Sequence, residues 1–392
     1  MKSLYSILEG GAAGHMAHII DYTEFTRHDL IELIESLFMG KIEDITEKID
    51  GVNIQVTKVK GNPVFIRNKT DLNSEQGGMT ASDMAAKWAS KPEVAKTYLD
   101  AANIIETVFA NIPDSFFNPD EKTRRVLNAE CVVAGKTNII PYASAQVSFH
   151  DIWIYERVGD TWVKKEVTKK GLDVIEKACE RLDNARLTPK VIIDITKESN
   201  AYKDKFVKKL EKIMKDSSQT ISKWQFERFA DWAKKEGMEA SLIIELFKRW
   251  FEGDKILNIR KLKTLYPNID ITSYEDSAKD VVRDINQPLD DFFLELGNAI
   301  INLCKNLLND GCRDSVTTTL KNDLESATKD IQKSGSNEMQ SMLNFQLGRL
   351  SRIGGQVNPA EGIVFSYKGK LMKLTGSFAP LNRILGDWKY KL

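Results

Sequence analysis

Residues 45–56 read "ITEKIDGVNIQV" and contain a lysine, Lys48, two positions before an Asp-Gly pair. From residue 52 onward apolar and polar side chains alternate, which is the pattern of a half-buried strand. The Asp-Gly pair predicts a tight turn that leads into this strand. Lys48 is therefore either a solvated lysine before a turn or a nucleophile at the edge of a sheet, and the rest of the sequence has to separate the two interpretations.

The composition is that of an ordinary globular protein, with 392 residues, 42% apolar and 29% charged. This length allows two or three domains. Lysine plus arginine and aspartate plus glutamate both number 56, so the net charge is zero. Bulk charge gives no reason to expect nucleic-acid binding, which would need a local basic patch.

The cysteines lie far apart and form no CxxC pair, which favours reduced thiols over a disulfide framework or a zinc site. The N-terminus shows no signal-like segment, and no apolar run is long enough to span a bilayer. We therefore expect a cytoplasmic protein without a membrane partner.

The chain divides into four segments with different sequence patterns. Residues 1–44 hold a Gly-rich opening and a helix that Thr26 can cap. Residues 45–168 mix strands with helices, including a hairpin through "KGNP". Residues 169–352 show the apolar spacing of helices almost throughout, and residues 353–392 return to a strand pattern in "AEGIVFSYKGKLMKLTG". The pattern predicts an α+β core of antiparallel sheets interrupted by a large, all-helical insertion.

Five short motifs follow Lys48-Ile-Asp-Gly in a fixed order along the predicted core. They are Arg67 in "FIRNK", Glu130 in "NAECVVAG", the strand "SFHDIWIY", Glu361 in "AEGIVFSY" and Lys373 in "KLMKLTG". The series resembles that of the covalent nucleotidyltransferases, which comprise DNA ligases, RNA ligases and mRNA capping enzymes. Each motif alone is a weak signal. Because the motifs occur in the family's order and on predicted strands, the chance that they are a coincidence is roughly one in ten.

The resemblance is closest to the phage-type nick-sealing RNA ligases, where the lysine motif also has a preceding glutamate and a following asparagine. Here these residues are Glu47 and Asn53. The resemblance implies a nucleotidyltransferase core and an ATP-dependent ligase that joins 5′-phosphate and 3′-OH ends, with RNA ends or nicks as partner. It also implies the host cytoplasm as location if the protein is phage-encoded. The oligomeric state is left open.

In this family the lysine attacks the α-phosphorus of ATP and forms lysyl-AMP. The resemblance assigns Lys48, Asp50, Arg67 and Lys373 to catalysis, with Lys373 at the α-phosphate. Contact with the nucleotide is implied for Lys48, Arg67 and Lys373, and also for Glu47, Asn53, Glu130, Phe149, His150 and Glu361. The attacking amine must be neutral, so we expect cationic neighbours and a metal to lower the pKa of Lys48. Mg²⁺, or Mn²⁺, would be held by Glu130 and Glu361.

Three features depart from the family pattern. His150 precedes Asp151 where the family has Phe or Tyr, so either His150 or Phe149 stacks on the base. The closing motif has Thr375 where a second lysine is usual. Only residues 374–392 follow Lys373, too few for the C-terminal OB-fold of DNA ligases and capping enzymes.

Three rival functions stay open on the sequence. The first is a DNA ligase that lacks an OB-fold. The second is a nucleotidyltransferase with an acceptor other than nucleic acid, which the zero net charge favours. The third is a nucleic-acid-binding module on a catalytically decayed ligase core, which the departures at His150 and Thr375 favour.

Overall fold

The computed structural model describes residues 16–90, 92–132, 139–142, 144–253 and 259–391. The Gly-rich opening and the glycine that follows Glu130 in "NAECVVAG" lie outside the described residues. The helices are α1 (Arg27–Phe38), α2 (Lys69–Leu72), α3 (Ala81–Lys87), α4 (Pro92–Ala110), α5 (Asp114–Phe117), α6 (Leu172–Cys179), α7 (Lys197–Ile213), α8 (Ile221–Lys235), α9 (Ala240–Trp250), α10 (Ile259–Leu265), α11 (Ile271–Leu303), α12 (Arg313–Lys333), α13 (Asn337–Arg352) and α14 (Phe378–Lys391). The strands are β1 (Thr46–Lys48), β2 (Val52–Val59), β3 (Asn62–Ile66), β4 (Thr123–Val132), β5 (Gln146–Val158), β6 (Thr161–Thr168), β7 (Ala185–Leu187), β8 (Ile192–Ile193), β9 (Cys304–Lys305), β10 (Gly362–Tyr367) and β11 (Lys370–Thr375).

Two sheets carry the fold, and the 45–56 stretch contributes to both. The small sheet has the order β1-β10-β11 and is antiparallel. The large sheet has the order β3-β2-β4-β5-β6 and is antiparallel along that path, with β7 pairing β5 in parallel. Mixed helices and antiparallel sheets are as the sequence predicts, although β7 is an exception to the antiparallel pairing.

The two predicted hairpins are confirmed. β2 and β3 join at Lys60 and Gly61, and β10 and β11 join at Lys368 and Gly369. All four turn residues have positive φ values, between 49° and 82°. Two consecutive positive φ values define the type I′ turn, whose twist matches that of the strands it connects.

The predicted cap of the first helix is also confirmed. The Thr26 hydroxyl accepts a hydrogen bond from the backbone N–H of Asp29, and the Asp29 carboxylate accepts one from the Thr26 backbone N–H. This reciprocal pair is a capping box. It starts α1 at Arg27 and presents Leu30, Leu33 and other apolar residues to the core.

The back of the small sheet is covered by helices α1, α7 and α11, which share one apolar core with it. Ile363, Phe365 and Leu374 from the sheet lie in that core beside Phe292 of α11. At Gly297 helix α11 passes so close to β11 that a Cβ would collide with the carbonyl of Thr375. The central helix of the predicted insertion therefore forms part of the core that supports the small sheet.

The region 169–352 is mostly helical, as predicted, but it is not all helical. It contains the short strands β7, β8 and β9, which the apolar spacing did not reveal because each has only two or three residues. Residues 185–191 cross from the large sheet to the small one: Arg186 pairs with β5, and Lys190 forms a bridge with Thr46 of β1. The boundary at residue 168 thus does not separate independent cores.

Helices α3, α4, α5 and α6 pack under the large sheet, and other helices form two further clusters. Helices α12, α13 and α14 pack together with Ile49 and Tyr142. The aromatic residues of α8 and α9 pack against the first half of α11. In the part of the chain that the structure describes, no helix is long and apolar enough to cross a membrane.

Candidate active site

A cleft of about 2450 Å³ lies between the two sheets. It is lined by Lys48 and Lys373 from the small sheet, by Glu130 and His150 from the large sheet, and by Arg67 just after β3. Helices α11, α13 and α14 complete one side. The volume exceeds the few hundred to about 1,000 Å³ usual for a small-molecule site, so the cleft has room for a nucleotide and part of a larger substrate.

The register of the small sheet places both lysines on the cleft face. Lys48 lies opposite Gly362, which lies opposite Thr375, and Lys373 is two positions before Thr375 on β11. Side chains two positions apart on a strand share a face, as do directly paired residues. The intervening residues, such as Leu374, point into the apolar core.

Lys48 forms the central ion pair of the cleft. Its Nζ lies 3.0 Å from Oε2 of Glu361, although the two residues are separated by more than 300 positions in sequence. The two side chains are 23% and 11% exposed, so the pair lies on the cleft floor and is reached from solvent through the cleft.

The charge around Lys48 is the reverse of what the sequence led us to expect. Burial alone would lower the pKa of Lys48, but Glu361, Glu130 and Asp50 outweigh it and raise the pKa. The prediction of a lowered pKa is therefore wrong for this state, because the charges around the amine are carboxylates: Asp50 from the same motif, and Glu361 and Glu130 from distant segments. Lys48 is held as an ammonium ion.

Glu361, the partner of Lys48, also has a shifted pKa. Burial, together with the neighbouring Asp50 and Glu130, raises its pKa to about 7, even though Lys48 acts to lower it. A carboxyl group with this pKa can exchange a proton near neutral pH. The Lys48–Glu361 pair is thus a proton donor and a proton acceptor in direct hydrogen-bond contact.

The large sheet presents a polar patch to the same cleft. Asn53 of β2 lies opposite Glu130 of β4, and the Asn53 side-chain amide donates to the Asn128 side-chain oxygen at 2.9 Å. Burial raises the pKa of Glu130, but His150, Lys48 and Asn53 together lower it. Glu130 is therefore a stable carboxylate in the cleft wall.

The structure distinguishes His150 from Phe149. A β-bulge in β5 opposite Asn128 gives His150 an extra position on the strand, and Phe149 is fully buried in the core under the large sheet. His150 lies with Nε2 3.8 Å from Glu130 and Nδ1 2.7 Å from the Thr188 hydroxyl. Of the two proposed base platforms, only His150 has a partly exposed side chain; Phe149 also borders the cleft, but its side chain is buried in the core.

Two other predicted residues, Arg67 and Asp50, have mainly structural contacts. Arg67 donates to the Asn53 carbonyl at 3.2 Å and to the Tyr98 hydroxyl. It is the first residue after β3, one position beyond the predicted strand location. Asp50 accepts from the backbone N–H groups of Ile139 and Ile140 at 2.7 and 2.8 Å.

Glu47 is almost fully buried and accepts a hydrogen bond from the backbone N–H of Leu308. It lies opposite Ile363, on the side of β1 that faces the apolar core. Glu47 also borders the cleft, and its nucleotide contact stays a prediction. Lys370, the other lysine of "KLMKLTG", forms an ion pair with Glu24.

Sequence reasoning missed Thr188, which fixes the His150 ring, and Arg186, which lines the cleft from β7. Neither belongs to a recognisable motif, and β7 is too short to show a pattern. It also missed Tyr142, whose hydroxyl oxygen accepts from the Asp50 backbone N–H at 3.0 Å.

No protein-family model matches the sequence, and a search of curated proteins finds no match either. Within the described residues no three His, Cys, Asp or Glu side chains gather into a metal site. Glu130 and Glu361 are nevertheless hard oxygen donors on facing walls of the cleft. Mg²⁺ is usually held by one or two carboxylates plus substrate phosphates, so this donor set fits it.

Proposed function

We propose that this protein is an ATP-dependent polynucleotide ligase with a nucleotidyltransferase core, acting on RNA ends or nicks through a lysyl-AMP intermediate. The observation that carries the proposal is the convergence of Lys48, Glu361, Glu130 and Lys373 on one cleft. These residues come from motifs spread over more than 300 positions of sequence. A solvated lysine before a turn would have no reason to meet them.

The first step uses the Lys48–Glu361 pair. The Lys48 ammonium has to lose a proton before it can act as a nucleophile, and the Glu361 carboxylate, 3.0 Å away, is the nearest acceptor. Because the surrounding carboxylates favour the ammonium form, only the small neutral fraction of Lys48 attacks. Its nitrogen then forms a bond to the α-phosphorus of ATP while the bond from that phosphorus to the bridging oxygen breaks and pyrophosphate leaves. Lys373 offsets the charge that develops on the α-phosphate oxygens.

The later steps transfer AMP to the 5′-phosphate end and then join the two strand ends. A 5′-phosphate oxygen attacks the AMP phosphorus, and Lys48 leaves and regains its proton. A 3′-OH then attacks the activated 5′-phosphate and releases AMP, which completes the phosphodiester bond. Mg²⁺, held by Glu130 and Glu361, would neutralise phosphate charge when bound.

The helices that line the cleft favour a substrate larger than ATP. Asp290, Arg349 and Arg383 line it from α11, α13 and α14. We therefore propose that this helical wall contacts the strand whose ends are joined. RNA is favoured over DNA by the motif resemblance to the RNA-joining group.

The direct test is covalent labelling. The purified protein is incubated with Mg²⁺ and α-labelled ATP or, separately, GTP, and is then denatured. We expect acid-labile label from ATP that is absent in Lys48→Ala and also in Lys48→Arg, which keeps the positive charge beside Glu361 but has no available nucleophile. Absence of label from the folded wild-type protein with several divalent metals would refute the proposal, and label from GTP alone would point to capping chemistry.

A sealing assay then identifies the acceptor. Matched RNA and DNA nicks with a 5′-phosphate are compared with the same nicks carrying a 5′-OH. Sealing of the phosphorylated RNA nick alone is the expected result. Lysyl-AMP without sealing of either strand would indicate an acceptor other than nucleic acid.

A further inference from the structure

Arg186 shares a cross-strand row with known parts of the cleft. Asn53 pairs with Glu130, Glu130 with Ser148, and Ser148 with Arg186, so the row runs across four strands of the large sheet. Directly paired residues project on the same face, which places the Arg186 side chain on the cleft face. Two strand spacings, about 10 Å, separate the Arg186 backbone from that of Glu130.

Two nitrogen atoms of the Arg186 guanidinium have no hydrogen-bond partner among the described residues. Its Nε and Nη2 are covered by protein, yet neither has a partner among the described residues. These two atoms form the side-on edge of the guanidinium, the fork that holds a phosphate or carboxylate with two parallel hydrogen bonds. Burying a charged donor without a partner is costly, so this resting position is weakly held.

The neighbouring charges do not satisfy this fork. Glu47 attracts Arg186, but its carboxylate accepts from the Leu308 N–H, and the two side chains form no ion pair. Arg124 also has unpartnered guanidinium atoms, but it stacks on Trp162 and lies outside the lining of the cleft. Arg186 differs because it lines the same cleft as Lys48.

We propose that Arg186 binds a phosphoryl group of the substrate, turning its Nε–Nη2 edge into the cleft when that group arrives. No resting hydrogen bond at this edge has to be broken, so binding gains the full bidentate contact. The identification of the phosphoryl group as part of ATP or of a 5′-phosphate end rests on the proposed function. The oxyanion site itself rests on the geometry alone.

Two probes separate the sources of this group. Calorimetry measures the binding of inorganic tripolyphosphate, and a filter-binding assay compares a 5′-phosphorylated RNA oligonucleotide with its 5′-OH counterpart. Both are applied to the full-length wild type, Arg186→Gln, Arg186→Lys and Arg124→Gln. Arg124→Gln is the matched control, because it removes a similar guanidinium outside the cleft.

We expect Arg186→Gln to weaken one of the two interactions by about 10- to 100-fold, the effect of a charge-assisted bidentate contact. A loss in tripolyphosphate binding assigns the site to ATP, and a loss of the preference for the 5′-phosphate assigns it to the acceptor end. Arg186→Lys should be intermediate, because it keeps the charge and loses the fork. It also keeps the test decisive if thermal unfolding shows that Arg186→Gln does not fold.

The proposal is overturned if the folded Arg186 variants bind both probes as the wild type does, or if the wild type binds neither. Arg186 would then serve as a structural counter-charge for Glu47. The outcome is independent of the labelling test. A wild type that binds tripolyphosphate through Arg186 and yet forms no lysyl-AMP would refute the ligase and leave this site standing.

Discussion

Replacing Glu361 with glutamine should change the pH dependence of stability in a defined direction. The pKa of Glu361 is raised from 4.5 to about 7 in the folded protein, chiefly by burial. Between those pH values the folded state holds a proton that the unfolded state has lost. Stability therefore falls as pH rises through this window, because ionising the buried carboxyl is penalised only in the folded state.

The magnitude follows from the size of the shift. Each pH unit of difference between the folded and unfolded pKa corresponds to about 1.4 kcal/mol, so Glu361 should lower the free energy of unfolding by about 3 kcal/mol above its folded pKa. Glutamine has the same shape and cannot ionise. Relative to wild type, Glu361→Gln should thus gain about 3 kcal/mol between about pH 4 and about pH 8.

The assay is urea unfolding of both proteins at the two pH values. Titrating groups that do not interact with Glu361 are present in both proteins and cancel in the difference. Glu47 does not cancel, because Glu361 helps to raise its pKa, but relieving that rise changes stability in the same direction. The exposed Glu325→Gln serves as the control for removing a surface carboxylate. If the difference between Glu361→Gln and wild type is the same at both pH values, the raised pKa is wrong, and proton transfer from Lys48 to Glu361 loses its basis.

Three further outcomes are expected. Lys373→Ala should slow lysyl-AMP formation by at least about tenfold, since it removes a charge from the α-phosphate site, whereas Lys370→Ala should label like wild type; equal labelling by both variants would contradict the assignment. Gly297→Ala should lower the free energy of unfolding by about 1–3 kcal/mol in urea, because the added methyl group pushes α11 away from Thr375, and an unchanged value would show that the helix can shift freely. Thr26→Ala should cost about 1 kcal/mol of unfolding free energy through loss of the capping box, with Thr26→Ser as the control that retains the bond.

Local chemistry explains which parts of the fold could be predicted. The hairpins at Gly61 and Gly369 and the cap at Thr26 depend on residues within a few positions of one another, and the sequence predicts all three. The placement of β1 does not depend on such signals. Its partner β10 lies more than 300 residues away, and the Asp-Gly pair between β1 and β2 leads from one sheet to the other rather than within one sheet.

In the site, too, local motifs could be predicted and long-range contacts could not. The motif order identified Lys48, Glu130, Glu361 and Lys373, and the structure brings their strands to one cleft. The protonation of Lys48 could not be predicted, because it depends on how closely two carboxylates from separate segments, Glu130 and Glu361, approach its amine. Arg186 could not be predicted either, since its position depends on three residues of β7 pairing with β5.

The opening stretch can now be interpreted residue by residue. Lys48 is the last residue of β1. The Asp50 carboxylate holds the following turn by accepting hydrogen bonds from the backbone N–H groups of Ile139 and Ile140. At Gly51 a Cβ would collide with the carbonyl of Cys131, next to Glu130 on β4. Only glycine lets the chain cross to the large sheet this closely, and the crossing brings the lysine of one sheet to the carboxylate of the other. Under the proposed function, the lysine of the Lys48-Ile-Asp-Gly motif supplies the reactive atom, while the aspartate and the glycine hold the turn that places it across the cleft from Glu130.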